Sequence, residues 1–239
     1  MDLDLIPASE LFSKSKIQLA SQIQVGGGLY SVEAIIAKLE PLLLEERVEK
    51  IQKVVGKRSL KVMTVLEDIY DRGNVSAVMR TAESLGFFRF LILEKENAKF
   101  KAANRITRGA EKWLDVKVSS KLSESVQSLK AEGYQLVGTD LNATHELSEV
   151  PLDQPVALVI GNEKDGISEE MKSLVDIRVK IPMVGFSQSY NLSVASAMCL
   201  YEFSRHLNPD QGMSEEERKQ LYANYLLRGF DNPERLLKN

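Results

Sequence analysis

From Lys61 onward, short apolar runs alternate with amphipathic stretches. The runs VMTVLE (62–67), FLIL (90–93), VKV (116–118), QLVGT (135–139), VALVI (156–160) and IRVKI (177–181) have strand length and are rich in branched aliphatic residues. Between them apolar positions recur at helical spacing, which predicts helices near 74–85, 122–131, 168–175 and 191–206. Continuous apolar strands separated by helices specify an α/β fold with a mostly parallel sheet flanked by helices. The first forty residues read as irregular, with the triple glycine 26–28 a flexible loop, until the helix VEAIIAKLE. Pro41 is then expected to open a second, basic amphipathic helix. At the far end, Ser214 and Glu217 form a capping-box pattern ahead of a separate helix. The expected division is an N-terminal helical extension (1–58), an α/β domain (59–208) and a C-terminal helical extension (209–239).

One helix is unusual. In GNVSAVMRTAESLG, Val75, Val78, Met79, Ala82 and Leu85 share a face, with Gly73-Asn74 read as turn and N-cap and Gly86 as the stop. The other face carries short residues, Ser76, Ala77, Thr81 and Ser84, around Arg80, with Glu83 three positions on. An ordinary Arg80–Glu83 surface pair is the plainest account. A ligand using the cleared space beside the arginine is the other.

Charge and composition narrow the classes. The chain of 239 residues has a net charge of −3, which argues against a wholesale polyanion binder. Basic residues nevertheless cluster twice. From Arg47 to Lys61 six face a single acidic residue, with Lys50, Lys53 and Lys57 on one helical face and Leu44, Val48, Ile51 and Val55 opposite. From Lys95 to Lys112 six, including Arg105 and Arg108, face two. Either set is a solvated face or a phosphate-binding one. With one cysteine, Cys199, no internal disulfide is possible, and with two isolated histidines no zinc spacing exists, so metal is not expected. No apolar run is long enough to cross a membrane, and the acidic start lacks a signal peptide's basic and apolar segments, so a cytoplasmic protein is expected.

Ligands of open α/β sheets bind beyond the carboxyl ends of strands. There VALVI runs into GNEKDGIS, with Gly161 and Glu163, and IRVKI runs into PMVGFSQSYN, with Ser189 and a helix starting at Asn191. A tight turn and a plain helix cap would also explain these residues.

Together, NVSAVMRTAESLG, ALVIGNEKDGIS and IPMVGFSQSYNLSVASAMCLYE resemble, in order, the three motifs of the SpoU (TrmH-like) RNA 2′-O-ribose methyltransferases of the SPOUT superfamily. The resemblance covers roughly residues 40 to 230, and the flanks are most similar to the branch that methylates a guanosine of the tRNA D-loop. It implies a deep trefoil knot in the C-terminal part of the sheet, S-adenosylmethionine as cofactor, tRNA as partner and a homodimer. Carried over by motif, Arg80, Asn74, Glu163, Ser189 and Asn191 are the catalytic set. Thr139, Gly161, Ile181 and position 190 line the cofactor, with Tyr190 standing where most relatives carry leucine. Lys50, Lys53, Lys57, Arg105 and Arg108 are the expected RNA contacts. The chemistry requires alignment of a ribose hydroxyl and removal of its proton. Arg80 is either the base or, since guanidinium normally stays protonated, the stabiliser of a developing alkoxide. Ribosomal RNA as substrate, or a non-catalytic RNA-binding protein on the same fold, are the alternatives.

Overall fold

The computed structural model describes residues 17–94, 109–208 and 212–238. They fall into two compact units, one from Leu60–Leu207 and one from stretches within 16–59 and 208–239.

The smaller unit begins with a hairpin where an irregular segment was expected. Strands β1 (Gln22–Val25) and β2 (Gly28–Ser31) pair antiparallel with Val25 opposite Gly28, so Gly26 and Gly27 are its two-residue turn. Gly26 has φ +58°, the left-handed conformation such turns need. The triple glycine is thus a built turn. The alternation QIQV, with Ile23 and Val25 buried, is genuine but too short to read by period. Helix α1 (Val32–Leu39) follows, capped by the Ser31 hydroxyl, which accepts from Ala34 N at 3.2 Å. Pro41 does not open the next helix. It lies in a single 3-10 turn, and α2 runs over Glu45–Val55. Ile51 and Val55 face inward while Leu44, expected on that apolar face, is 80% exposed.

In the larger unit the elements are β3 (Ser59–Glu67), α3 (Arg72–Ser84), β4 (Phe87–Leu93), β5 (Asp115–Ser119), α4 (Leu122–Ala131), β6 (Gln135–Thr139), β7 (His145–Glu146), β8 (Val156–Ile160), α5 (Glu169–Leu174), β9 (Ile177–Lys180) and α6 (Leu192–His206). The strands form one sheet in the order β5-β4-β3-β8-β6-β9-β7. Pairings β3–β8, β6–β8, β6–β9, β7–β9 and β4–β5 are all parallel. Alternate residues of β3 serve two cores. Met63 and Val65 join Leu91, Leu136, Val159 and the α4 residues Val126 and Leu129 on one face. The intervening Val62, Thr64 and Leu66 are equally buried on the other, which fits a sheet covered twice. Helices α3 and α6 pack on each other, and Ser76 on the one and Ser196 on the other are fully buried. Ser76 is therefore not on the open face assigned to it from periodicity.

The chain then returns to the smaller unit as α7 (Glu215–Leu227) and α8 (Pro233–Lys238). The Ser214–Glu217 capping box is formed. Helix α7 is buried from Gln220 to Leu226 without interruption, and Asn224 bonds both Gln18 N and Gln18 O through its side chain. Arg218 satisfies the carbonyl ends of α2, its guanidinium donating to Gly56 O at 2.6 Å. Arg58 is buried with its guanidinium 5.7 Å from the centre of the Tyr225 ring, so it leaves the basic surface in which the sequence placed it.

Candidate active site

The site forms where β3, β6, β8 and β9 end. After β8 the chain makes a tight reversal: Asn162 and Gly166 exchange backbone hydrogen bonds at 3.0 and 3.1 Å, and Asn162 Oδ1 accepts from the amides of Lys164 and Asp165. Gly161 sits beneath this turn. A Cβ there would lie 1.9 Å from the carbonyl carbon of Gly166, so only glycine fits. The turn holds Glu163 out toward the start of α3.

There the structure corrects the expected cap. Asp71, not Asn74, is the N-cap of α3, its carboxylate accepting from Gly73 N at 2.7 Å. Asn74 sits one turn inside, buried, with its side chain free for other work. Its Nδ2 donates to Glu163 Oε1 at 2.8 Å, and its Oδ1 accepts from Asn191 Nδ2 at 3.3 Å. Glu163 also accepts from Tyr70 N at 3.1 Å and Asp71 N at 3.2 Å. Partial burial pushes the Glu163 carboxyl up, but the Asn74 amide and the backbone N–H groups outweigh it and hold the group below the ordinary carboxylate range. Asn191 caps α6, accepting from Ser193 N at 2.9 Å. Motifs 1, 2 and 3 are thus joined by one hydrogen-bonded path.

Beside this path opens a cavity of about 560 Å³, a volume ordinary for a small-molecule site. It is walled by 139–142 after β6, 160–167 after β8, 179–181 after β9 and 188–192 leading into α6. Thr139, Gly161, Ile181 and Tyr190 all line it, as do Glu163, Ser189 and Asn191. Tyr190 is 39% exposed, and its hydroxyl donates to Pro182 O at 3.3 Å, folding the segment back on itself. Ser189 is exposed, its hydroxyl without a hydrogen-bond partner among the described residues. Sequence reasoning missed Asp140, which also lines the cavity and pairs with Arg178 at 3.0 Å. Its only signal was its place after a strand.

Arg80 stands apart. It is exposed, and its guanidinium makes neither an ion pair nor a hydrogen bond among the described residues, so the Arg80–Glu83 surface pair is not formed. Six residues beyond Asn74 on α3, it points roughly 120° away around the helix and about 9 Å along it. It does not line the cavity of its own chain. Lys50, Lys53 and Lys57 are exposed on the smaller unit, and Arg105 and Arg108 lie outside the described residues. Among the described residues no group of three His, Cys, Asp or Glu side chains is placed to hold a metal, and no helix is long and apolar enough to cross a membrane.

Residues 61–201 match the SpoU rRNA Methylase family. The tRNA (guanosine(18)-2′-O)-methyltransferase of Borreliella burgdorferi is 34% identical over 194 residues, covering 80% of this chain and 88% of that protein. The enzyme of the same name from Aquifex aeolicus is 32% identical over 75% of this chain and 88% of its own length. Among solved structures, the Aquifex aeolicus TrmH/SpoU tRNA modifying enzyme superposes with a TM-score of 0.68 at 29% identity, covering 76% of this chain and 96% of that one. The SpoU methyltransferase AviRb from Streptomyces viridochromogenes, in complex with AdoMet, gives 0.57 at 26% identity, covering 62% and 61%.

Proposed function

The chain belongs to the SpoU rRNA methylase family, and we propose that it transfers the methyl group of S-adenosylmethionine to the ribose 2′-hydroxyl of guanosine 18 in the tRNA D-loop. The observation that carries the reading is the path from Asn191 through Asn74 to Glu163 at the rim of the cavity. It gathers the polar residues of three distant motifs at one point, which a purely structural role for each would not require.

The residues present suit the cofactor. The cavity has the volume, Gly161 lets the 162–166 turn close against the wall, and Glu163 presents a carboxylate held ionised toward a positively charged ligand. When bound, S-adenosylmethionine supplies an activated sulfonium methyl. Thr139, Gly161, Ile181 and Tyr190 would hold it, and the deep trefoil knot belongs to this reading, supported by the separate loops that wall one cavity. Ser189 offers an uncommitted hydroxyl, and Asn74 and Asn191 fix the loops that carry the site. Arg80 takes the 2′-hydroxyl proton or stabilises the alkoxide, positions that its freedom from other partners allows.

A homodimer supplies what one chain lacks. Arg80 faces away from its own cavity, and α6 exposes Val194, Met198 and Tyr201 at 48%, 38% and 58%, an apolar stripe at helical spacing. Pairing two copies through α3 and α6 covers that stripe and sets each Arg80 toward the other copy's cavity. Lys50, Lys53 and Lys57, with Arg105 and Arg108, are assigned to RNA phosphates, and a cytoplasmic location follows from the tRNA substrate. The test is incubation with labelled cofactor and total RNA, followed by mapping of the methylated nucleotide. Label at guanosine 18 of tRNA is expected; label confined to ribosomal RNA would transfer the activity there.

A further inference from the structure

Between β3 and α3, the loop 68–71 presents an aromatic ring that the catalytic set does not use. Tyr70 is 63% exposed, and its hydroxyl has no hydrogen-bond partner among the described residues. Its place is nevertheless fixed, because its backbone N–H donates to Glu163 Oε2 at 3.1 Å, and Glu163 lines the cavity. Two features before it set the direction of the ring. Asp68 has φ +50°, the only positive φ at a non-glycine among the described residues, with its N–H donated to Leu93 O at 2.9 Å. Ile69 then turns inward and is 9% exposed. An L residue held in the left-handed region persists where its surroundings dictate it, and such positions gather at functional sites. Here the result is an apolar ring facing outward at the edge of the cavity.

We propose that Tyr70 is a stacking platform for an unpaired nucleobase next to the ribose that is methylated. The inference rests on the RNA methyltransferase reading above and extends it to the substrate's bases. Single-stranded RNA is held by bases stacked on aromatic side chains, and a phenol ring suits any of the four bases. The charges near Tyr70 favour a base over the backbone: Asp68 and Asp71 lie within two positions of it, the Glu163 carboxylate sits on its amide, and the neighbouring cation, Arg72, is paired with Glu94 at 2.8 Å. These carboxylates repel a phosphate and leave an uncharged base acceptable.

The test measures methyl transfer to unfractionated tRNA by the parent and by Tyr70→Ala, Tyr70→Phe and Tyr70→Trp. All three variants retain the main-chain bond to Glu163, and the position is exposed, so folding is preserved. The alanine variant should raise KM for tRNA roughly tenfold, the scale of one lost base–aromatic stack, with kcat and S-adenosylmethionine affinity within about twofold of the parent. Phenylalanine and tryptophan should restore the parent's KM. An unchanged KM in the alanine variant, or phenylalanine and tryptophan variants as impaired as alanine, would overturn the proposal. So would a change in oligomeric state on sedimentation, which would assign the ring to a contact between copies. A parent inactive on tRNA defeats the underlying reading together with this one; an active parent matched by the alanine variant defeats this one alone.

Discussion

Asn74 Nδ2 donates to Glu163 Oε1 across 2.8 Å and 89 positions of sequence. The same amide accepts from Asn191, so one short side chain serves the second and third motifs at once. Groups sharing partners in this way do not contribute independently. Asn74→Ala and Glu163→Gln should each lower kcat/KM, and the double variant should be no worse than the poorer single. A double-mutant cycle on kcat/KM reads this directly, with a coupling of about 1 kcal/mol or more expected. Additive losses would mean that the two residues act separately.

The ionisation of Glu163 gives a pH dependence of known sign. Its carboxyl is held below the ordinary range, so it binds fewer protons folded than unfolded. The stabilisation is therefore whole above the unfolded carboxylate pKa and is lost as pH falls through the lowered folded value. Thermal unfolding across the acid range should show a shallower decline in Tm for Glu163→Gln than for the parent. Parallel curves would assign the acid sensitivity to other carboxylates.

Arg80→Ala should reduce turnover by roughly 10²–10⁴ while leaving cofactor affinity nearly intact, the scale of an acid–base group. The proposed dimer adds a sharper expectation. Mixing Arg80→Ala with Glu163→Gln should regain part of the activity, since a mixed pair contains one site with both residues intact. No recovery after proven subunit exchange would put Arg80 at the cavity of its own chain.

Two glycines near the cavity should behave oppositely. Gly161→Ala drives a Cβ into the Gly166 carbonyl and must displace the 162–166 turn. Gly185→Ala meets nothing within 4 Å. Calorimetric titration of S-adenosylmethionine should show binding lost in the first variant and preserved in the second. Normal binding by Gly161→Ala would remove that turn from the cofactor site.

Lys50, Lys53 and Lys57 are exposed on the smaller unit, with Lys50 and Lys53 on α2 and Lys57 just beyond its end. If each touches a phosphate, replacing all three by alanine should weaken tRNA binding. It should also flatten the slope of log affinity against log salt by about one unit per contact. Equal affinity and slope in variant and parent would leave these lysines as solvent-facing charge.

Legibility followed the length and purity of the signal. The strands around Val65, Phe90, Leu136 and Leu158 were readable because both faces are buried, which makes each an unbroken apolar run. Thr139, Gly161, Ile181 and Tyr190, far apart in the sequence, meet at one cavity. The four-residue strands of the hairpin gave too few periods to register. The cap at Asp71 was hidden because aspartate and asparagine cap equally well, and three positions decide whether Asn74 is a cap or a bridge. Arg58 reads as surface charge by type, and its burial beside the Tyr225 ring depends on a packing partner 167 positions away that polarity does not announce. The exposure of Tyr70 depends on a backbone turn at Asp68 that no pattern of polarity announces.

The bonds between Asn224 and Gln18 bridge a separation of 206 residues. During synthesis the hairpin, α1 and α2 leave the ribosome long before α7 exists, and at typical elongation rates the delay is on the order of 10–40 s. Throughout that interval Ile23, Val25, Ile35 and Leu39 have no α7 to complete their core, while the intervening sheet is made in full. The nascent chain therefore carries an adhesive segment that must be kept from other chains until its partner arrives. A premature stop ahead of Leu221 would prolong that state indefinitely, so its damage would fall on the hairpin and α1 as much as on the residues it deletes.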